Sequence, residues 1–149
     1  MRIDLKGLTI LLISGTASID ENGNTVHVGD FRAQLRRTFD NITGLLAAEG
    51  ATWHDIVRTT CYLRDIERDY QAFNEERAAF YEQQALDPLP ASTGIQAILC
   101  RPDLLIEIEA IPCSAVKMPG IIYEPQLVLP GSSCGDHLPG AISIAMFVR

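Results

Sequence analysis

Residues 106–110, with the sequence IEIEA, alternate strictly between apolar and acidic side chains. Since successive side chains of a β-strand point to opposite faces, this pattern predicts a strand with one buried face and with Glu107 and Glu109 on the other. Two carboxylates that lie about 6 to 7 Å apart along one strand are a candidate pair for acid–base catalysis. The alternative is that they form cross-strand ion pairs with Arg58 or Arg64.

Apolar residues at helical spacing predict two helices on the N-terminal side of this strand. The first follows Asp30, a candidate N-cap, and ends before Gly50, and the second runs from Ile66 to about Gln84. The remaining periodic segments are predicted to be strands, at residues 2–6, 9–19, 25–28, 56–63, 91–99 and 104–111. This order, ββ(β)αβαββ, predicts an α+β fold with both helices on one face of a mixed sheet.

Two of the predicted strands indicate how the faces of the sheet are buried. Residues 8–13 are too apolar to leave either face in water. In the strand at 56–63, alternation places Val57, Thr59, Cys61 and Leu63 on the buried face. Because two helices can cover only one face of the sheet, we expect subunit association to cover the other.

Composition and charge exclude several classes of protein. The 149 residues, 47% of them hydrophobic, are enough for one domain with a core, and the net charge of −7 without a basic run argues against a nucleic-acid partner. The longest apolar run near the N-terminus is Ile10–Ile13, which is far shorter than the roughly 18 residues of a membrane span. No export signal precedes this run. We therefore expect a cytoplasmic protein without a membrane partner. Four widely spaced cysteines indicate reduced thiols, and Cys134, Asp136 and His137 lack the spacing of a metal site. We expect no metal and no cofactor.

Three further residues are candidates for a site. Cys100 precedes Glu107 by seven residues across a predicted turn and is expected to line the same cleft, as a small polarisable wall or a weak donor; the alternative is a buried, inert thiol. Gly15 and Thr16 end an apolar strand, where backbone N–H groups could bind a carboxylate. The alternative for these two residues is a strand bulge.

Taken together, five segments between about residues 8 and 112 resemble the Rid family, which is also called YjgF-like or endoribonuclease L-PSP. In chain order they are 12–16 (LISGT), 33–42 (AQLRRTFDNI), 55–60 (DIVRTT), 90–93 (PAST) and 106–110 (IEIEA). The resemblance implies a chorismate-mutase-like α+β fold that forms a homotrimer with small-molecule clefts between its subunits. It also implies hydrolysis of reactive enamines and imines to ketoacids and ammonia, an activity of many members.

The resemblance also implies roles for individual residues. Glu107 matches the glutamate that positions or activates water, and Gly15 and Asn74 fall at other positions of the cleft. Ser92, followed by Thr93 in the ligand-binding wall, stands where the deaminases have the arginine that binds the substrate carboxylate. Since serine cannot supply a bidentate cationic fork, another arginine is needed for an anionic ligand. The candidates are Arg58, Arg64, Arg77 and Arg101.

A second resemblance concerns residues 14–19, 25–30 and 100–107, which are similar to the catalytic half of chorismatases, larger proteins of the same fold. It implies that Glu107 donates a proton to an enolpyruvyl group and that Cys100 lies in the same site. Residues 117–149 are rich in Pro and Gly and are predicted to form a C-terminal extension, packed on its own or a neighbouring subunit, after a domain at residues 1–116.

The sequence therefore predicts a small-molecule hydrolase or lyase whose ligand is an anionic or carbonyl-bearing metabolite. The alternative is a non-catalytic trimer that senses a metabolite or binds a partner. A ribonuclease is less favoured, because the chain is acidic and carries no basic patch.

Overall fold

The computed structural model of the protein describes residues 1–115. The predicted C-terminal extension at 117–149, which includes the group at 134–137, lies outside the described residues. Within them the chain forms, in order, β1 (Arg2–Leu5), β2 (Leu8–Leu11), β3 (Ile13–Ala17), α1 (Phe31–Ala48), β4 (Ile56–Leu63), α2 (Ile66–Gln83), β5 (Ala91–Gln96) and β6 (Ile106–Ala115). A short 3-10 turn at Trp53–Asp55 leads into β4.

The ten-residue strand β6 organises the sheet. It pairs antiparallel with β2 and β3 along one edge and with β4 along the other. β1 extends the sheet beyond β2 in antiparallel fashion, whereas β5 lies parallel to β4 at the opposite end. The result is a mixed sheet with the order β1-β2-β6-β4-β5, which confirms the predicted α+β fold class.

Both helices begin at an aspartate N-cap, of which the sequence predicted Asp30, and α1 ends before Gly50 as predicted. The Asp30 carboxylate accepts a hydrogen bond from Ala33 N at 3.0 Å, and Asp65 caps α2 in the same way through Arg68 N at 3.1 Å. After α1 the chain turns at Gly50, whose φ of 68° is a conformation that glycine adopts without a steric cost. No helix within residues 1–115 is both long enough and apolar enough to span a bilayer.

The main core lies between these helices and one face of the sheet. Each fully buried aliphatic or aromatic side chain contributes about 1.5 to 3 kcal/mol relative to exposure, and such side chains come from both helices and from the two central strands. They include Leu35, Ile42, Phe73, Leu63, Ile106 and Ile108. Ile106 and Ile108 of β6 are buried in this core. Glu107 and Glu109, which alternate with them along the strand, therefore face away from the helices.

Some predicted strands are wrong in position. The segment 25–28 forms only one isolated bridge, between Ile19 and Thr25, because His27 with a φ of 58° and Gly29 with a φ of 82° turn the chain. The predicted strand at 9–19 is interrupted at Leu12. Val57, predicted to be buried, is 51% exposed, because the pairing of β4 with β6 shifts between Ile56 and Arg58.

The sheet face opposite the helices is covered only in part within residues 1–115. Ala17 packs there with Leu99 and Leu104 in a small second cluster. Every residue of β5 is exposed, however, and Ile98 just beyond it is 96% exposed. An apolar side chain this exposed fits the prediction that a further copy of the chain covers this region, and that assembly stays a prediction.

Candidate functional site

Glu107 is the second residue of β6 and lies on the face that points away from the helices. Its neighbours Ile106 and Ile108 are buried, whereas Glu107 and Glu109 are half-buried. Tyr62 of β4 and Ala17 of β3 are its cross-strand partners. This arrangement confirms that the two carboxylates share one face, which is referred to below as the carboxylate face.

Gly15 leaves the space that the Glu107 side chain occupies. The pairing of β3 with β6 is shifted between Ile13 and Thr16, which places Gly15 at a bulge. A Cβ atom at residue 15 would lie 1.8 Å from Glu107 Oε1 and 2.7 Å from Glu107 Cδ. The Glu107 carboxylate therefore lies directly on the backbone of residue 15. Both readings of Gly15, a bulge and a cleft residue, are compatible with this contact.

Cys100 lies next to the same carboxylate. Its Sγ is 3.9 Å from Glu107 Oε2, and the residue is exposed. The alternative of a buried, inert thiol is thus wrong for Cys100. It applies instead to Cys61, which is buried in the main core and whose thiol has its pKa raised by that burial.

Glu109 has a different partner from the one considered in the sequence. Tyr62 donates a hydrogen bond from its hydroxyl to Glu109 Oε2 at 2.9 Å, and this bond to the carboxylate raises the pKa of the phenol. Within residues 1–115, neither Glu107 nor Glu109 forms an ion pair with an arginine, so the cross-strand ion pairs with Arg58 or Arg64 do not occur there.

Ser92 and Asn74 lie at a different place from Glu107. Ser92 is paired with Thr59, and Thr59 Oγ1 donates to Ser92 Oγ at 3.1 Å. Since Thr59 is buried in the helix-bearing face, Ser92 belongs to that face as well. Asn74 is on α2, and Arg77 of the same helix donates to both residues, to Ser92 Oγ at 3.0 Å and to Asn74 Oδ1 at 2.8 Å.

The predicted site residues therefore form two groups on opposite faces of one sheet. Gly15, Cys100 and Glu107 form the first group, on the carboxylate face. Asn74 and Ser92 form the second, at the outer edge of the helix-bearing face. Residues 1–115 of a single chain do not bring the two groups together.

The other predicted residues have these positions. Thr16 donates from Oγ1 to the Ser14 carbonyl oxygen at 3.0 Å, and Thr93 is exposed beside Thr60. Arg58 is exposed on β4, and Arg101 donates to the Gly23 carbonyl oxygen at 2.7 Å. Whether these four residues bind a ligand stays a prediction.

Two residues that the sequence did not single out form hydrogen bonds near the site, to Glu109 and to the loop before β6. Tyr62 donates to Glu109, and the alternation of residues along β4, which puts Thr59, Cys61 and Leu63 on the other face, could have indicated its position. Gln34 is fully buried in α1, where its Nε2 donates to the Asp103 carbonyl oxygen and its Oε1 accepts from Leu105 N, both at 2.8 Å. A polar residue in the apolar stripe of α1, which also contains the buried Thr38, could have indicated it. Within residues 1–115, no three His, Cys, Asp or Glu side chains cluster to hold a metal ion.

Comparison with known proteins supports this reading of the fold. Two solved structures share it, the Rid-family protein YyfB from Yersinia pestis and the YjgF gene product from E. coli. YyfB is 36% identical with a TM-score of 0.61, covering 70% of this chain and 78% of its own. YjgF is 29% identical with a TM-score of 0.62, covering 74% of this chain and 84% of its own.

Sequence comparison gives the same result. The 3-aminoacrylate deaminase RutC of Acinetobacter baylyi is 35% identical over 106 residues, which cover 71% of this chain and 80% of RutC. A RutC family protein of Pyrococcus horikoshii is 32% identical over 107 residues, covering 72% of this chain and 81% of the relative. Residues 5–113 match the family described as "Endoribonuclease L-PSP". The chain therefore belongs to the endoribonuclease L-PSP family, the Rid or YjgF family that its residues predicted.

Proposed function

We propose that the protein is a small-molecule hydrolase that acts on an imine or enamine in clefts between subunits, with Glu107 as its acid–base residue. One observation carries this proposal. The Glu107 carboxylate is half-buried on an apolar strand, rests on Gly15, and has no arginine partner within residues 1–115, so it is not used in an ion pair there. The similarity to RutC, a 3-aminoacrylate deaminase, supports the same chemistry.

The chemistry needs one group that moves protons. An enamine first takes a proton from solvent on carbon and becomes an iminium ion; water then adds to the C=N bond, the C–N bond breaks, and a carbonyl compound and ammonium are released. Glu107 in its charged form accepts the proton of the attacking water and returns it to the leaving nitrogen. Cys100, with its Sγ 3.9 Å from Glu107 Oε2, lines the wall of the cleft and contacts the carboxylate.

The proposal includes a homotrimer, because one chain separates the two groups of site residues. The exposed strand β5 and Ile98 provide the surface that a neighbouring copy would cover. Three copies of the 16.4 kDa chain have a mass of about 49 kDa, which analytical ultracentrifugation would measure. A monomer at micromolar concentration would contradict the inter-subunit cleft.

The test compares Glu107→Gln with Glu109→Gln. Both changes remove one charge and keep the shape of the side chain, on the same face and two residues apart. With 3-aminoacrylate or 2-aminoacrylate generated in solution, ammonia release above the uncatalysed rate should fall by ~10²-fold or more in Glu107→Gln. Glu109→Gln should keep most of the wild-type rate.

Two results would contradict the proposal. One is a Glu107→Gln protein that is fully active, and the other is a wild-type protein that does not accelerate hydrolysis of either enamine. Likeness to chorismatases stays a prediction, and chorismate belongs in the same assay for that reason. The acidic chain, with a net charge of −7, disfavours RNA as the substrate.

A further inference from the structure

The four arginines that are candidates for an anion site have different environments in the structure. Arg64 and Arg101 donate to backbone carbonyl oxygens and so help to hold loops in place. Arg58 is exposed on β4. Because its side chain is not held in one orientation, binding a ligand would cost conformational entropy. Arg77 is half-buried, unlike Arg58 and Arg101, and it differs from the half-buried Arg64 because side chains of the second group of site residues, Asn74 and Ser92, hold it.

Three uncharged groups hold the Arg77 guanidinium. Its Cζ lies 4.8 Å from the centre of the Phe73 ring, in a cation–π contact. Its Nη1 donates to Ser92 Oγ at 3.0 Å and its Nη2 donates to Asn74 Oδ1 at 2.8 Å. The orientation of the fork is therefore set before any ligand arrives, which lowers the entropic cost of binding.

No carboxylate within residues 1–115 forms an ion pair with Arg77. A guanidinium has five N–H donors, and the contacts to Ser92 and Asn74 use two of them. Among the described residues, the Nε–H and one N–H on each Nη have no acceptor. A half-buried cation with free donors in a fixed fork matches a carboxylate in charge and in geometry.

Ser92 adds a donor at the same place. Its Oγ accepts hydrogen bonds from Thr59 Oγ1 and from Arg77 Nη1, which occupy the two acceptor sites of a hydroxyl. Its own O–H proton also lies within hydrogen-bonding reach of the Cys61 thiol, and a carboxylate ligand would replace that contact. β5 is the last strand in the order of the sheet and all its residues are exposed in the single chain, so in the proposed trimer this edge borders the cleft between two copies.

We propose that Arg77, assisted by the Ser92 hydroxyl, binds the carboxylate of the substrate. This inference rests on the proposed function, in which Glu107 of a second copy faces the same cleft. The cation that Ser92 cannot supply from β5 then comes from α2, and the substrates are imines or enamines that carry a carboxylate. Arg77 is a binding residue in this proposal, and the proton transfers remain with Glu107.

The experiment measures binding rather than turnover, on the full chain. Acetate, propionate and pyruvate are titrated by calorimetry or NMR, each against its neutral amide. Wild-type protein should bind at least one of the three acids saturably and at least 10-fold more tightly than the matching amide. Arg77→Met keeps the apolar stem over Phe73, and it should weaken binding of that acid at least 10-fold, whereas Arg58→Met and Arg101→Met should not.

Further variants separate this inference from the proposed function and from a loss of folding. Glu107→Gln removes a negative charge from the same cleft and should bind the acid at least as tightly as wild type even though its turnover falls, so a failure of the catalytic role leaves the anion site standing. The double variant Arg77→Met with Ser92→Arg returns a guanidinium to the same edge and should recover binding. Three results would overturn the assignment: no preference for the acids over the amides, unchanged binding in Arg77→Met, or the same loss in Arg58→Met.

Discussion

Gly15 lies so close to Glu107 that a Cβ atom on residue 15 would fall 1.8 Å from Glu107 Oε1. The contact lies at the far end of a flexible glutamate side chain, so the fold can accept a methyl group there if the carboxylate moves away. A glycine at this bulge therefore determines where the proposed acid–base group is placed, rather than whether the sheet forms.

The first prediction follows from this contact. Gly15→Ala should fold with nearly unchanged stability, because only the end of the Glu107 side chain has to shift. Enamine hydrolysis should fall at least about 10-fold, since small displacements of a catalytic group are costly. Melting temperature and ammonia release, measured on the same preparation, check both halves.

Gly44→Ala provides the matched control. Gly44 is an exposed residue in α1, and a Cβ there meets nothing within 4 Å. This change should raise the free energy of unfolding by about 0.5 to 1 kcal/mol through helix propensity and leave activity unchanged. Full activity in Gly15→Ala would show that the position of the Glu107 carboxylate is not important for the reaction.

The second prediction concerns Gln34, whose buried amide joins α1 to the loop before β6. Gln34→Leu leaves Leu105 N and the Asp103 carbonyl oxygen without their partner inside the protein. The free energy of unfolding should fall by about 2 to 4 kcal/mol, as expected when buried polar groups lose hydrogen bonds. Urea unfolding measures it, with the exposed Gln71→Leu as a control that should change by less than about 0.5 kcal/mol.

Some features of the fold can be predicted from the sequence because they are local. The alternation around Glu107 specifies a half-buried strand, and it places both carboxylates on one face whatever the strand pairs with. The helix after Asp30 is equally local, since one side chain caps its first turn. These are the elements for which prediction and structure agree.

Other features depend on pairing between distant segments and could not be predicted in this way. The exposure of Val57 follows from a shift in register against β6. Ser92 and Glu107 lie on opposite faces because β5 is parallel to β4 and Ser92 pairs with Thr59. The local sequence contains no information on this pairing. Likewise, Arg77 differs from the other arginines only through its contacts in the folded protein.

The third prediction concerns Tyr62, which donates to Glu109 and has its phenol pKa raised by that bond. In the wild-type protein Tyr62 should ionise above the ordinary tyrosine value of about 10. Glu109→Gln removes the charged acceptor, so the Tyr62 transition should move to lower pH. The measurement is a pH titration followed by absorbance near 295 nm, where ionised tyrosine absorbs. Subtracting the titration curve of Tyr62→Phe from that of the wild type isolates Tyr62 among the four tyrosines.

The sign of the matching effect on stability follows from the direction of the shift. Because the folded-state pKa of Tyr62 is raised, its contribution to stability is complete below the ordinary tyrosine value and is lost as the pH rises through the folded value. A Tyr62 transition that does not change in Glu109→Gln would show that the hydrogen bond does not form in solution.

The fourth prediction concerns Glu76, which joins the two helices and whose pKa is lowered by its hydrogen bonds to Arg36 and then Arg32. Arg36 donates from Nε at 2.7 Å and from Nη2 at 2.6 Å, and Arg32 adds a third bond at 3.0 Å. At pH 7, Glu76→Gln should lower the free energy of unfolding by about 0.5 to 1 kcal/mol.

This difference should depend on pH in one direction only. A lowered folded-state pKa means that the Glu76 carboxylate stabilises the protein above the ordinary glutamate value of about 4.3 and loses its effect as the pH falls through the folded value. Urea unfolding between pH 7 and pH 3 should therefore show the stability curves of wild type and Glu76→Gln converging at the acidic end. Glu82→Gln, an exposed position on the same helix, makes the same change in charge and should show no such convergence. Parallel curves for Glu76→Gln would mean that its effect comes from packing between the helices and not from the charge of the carboxylate.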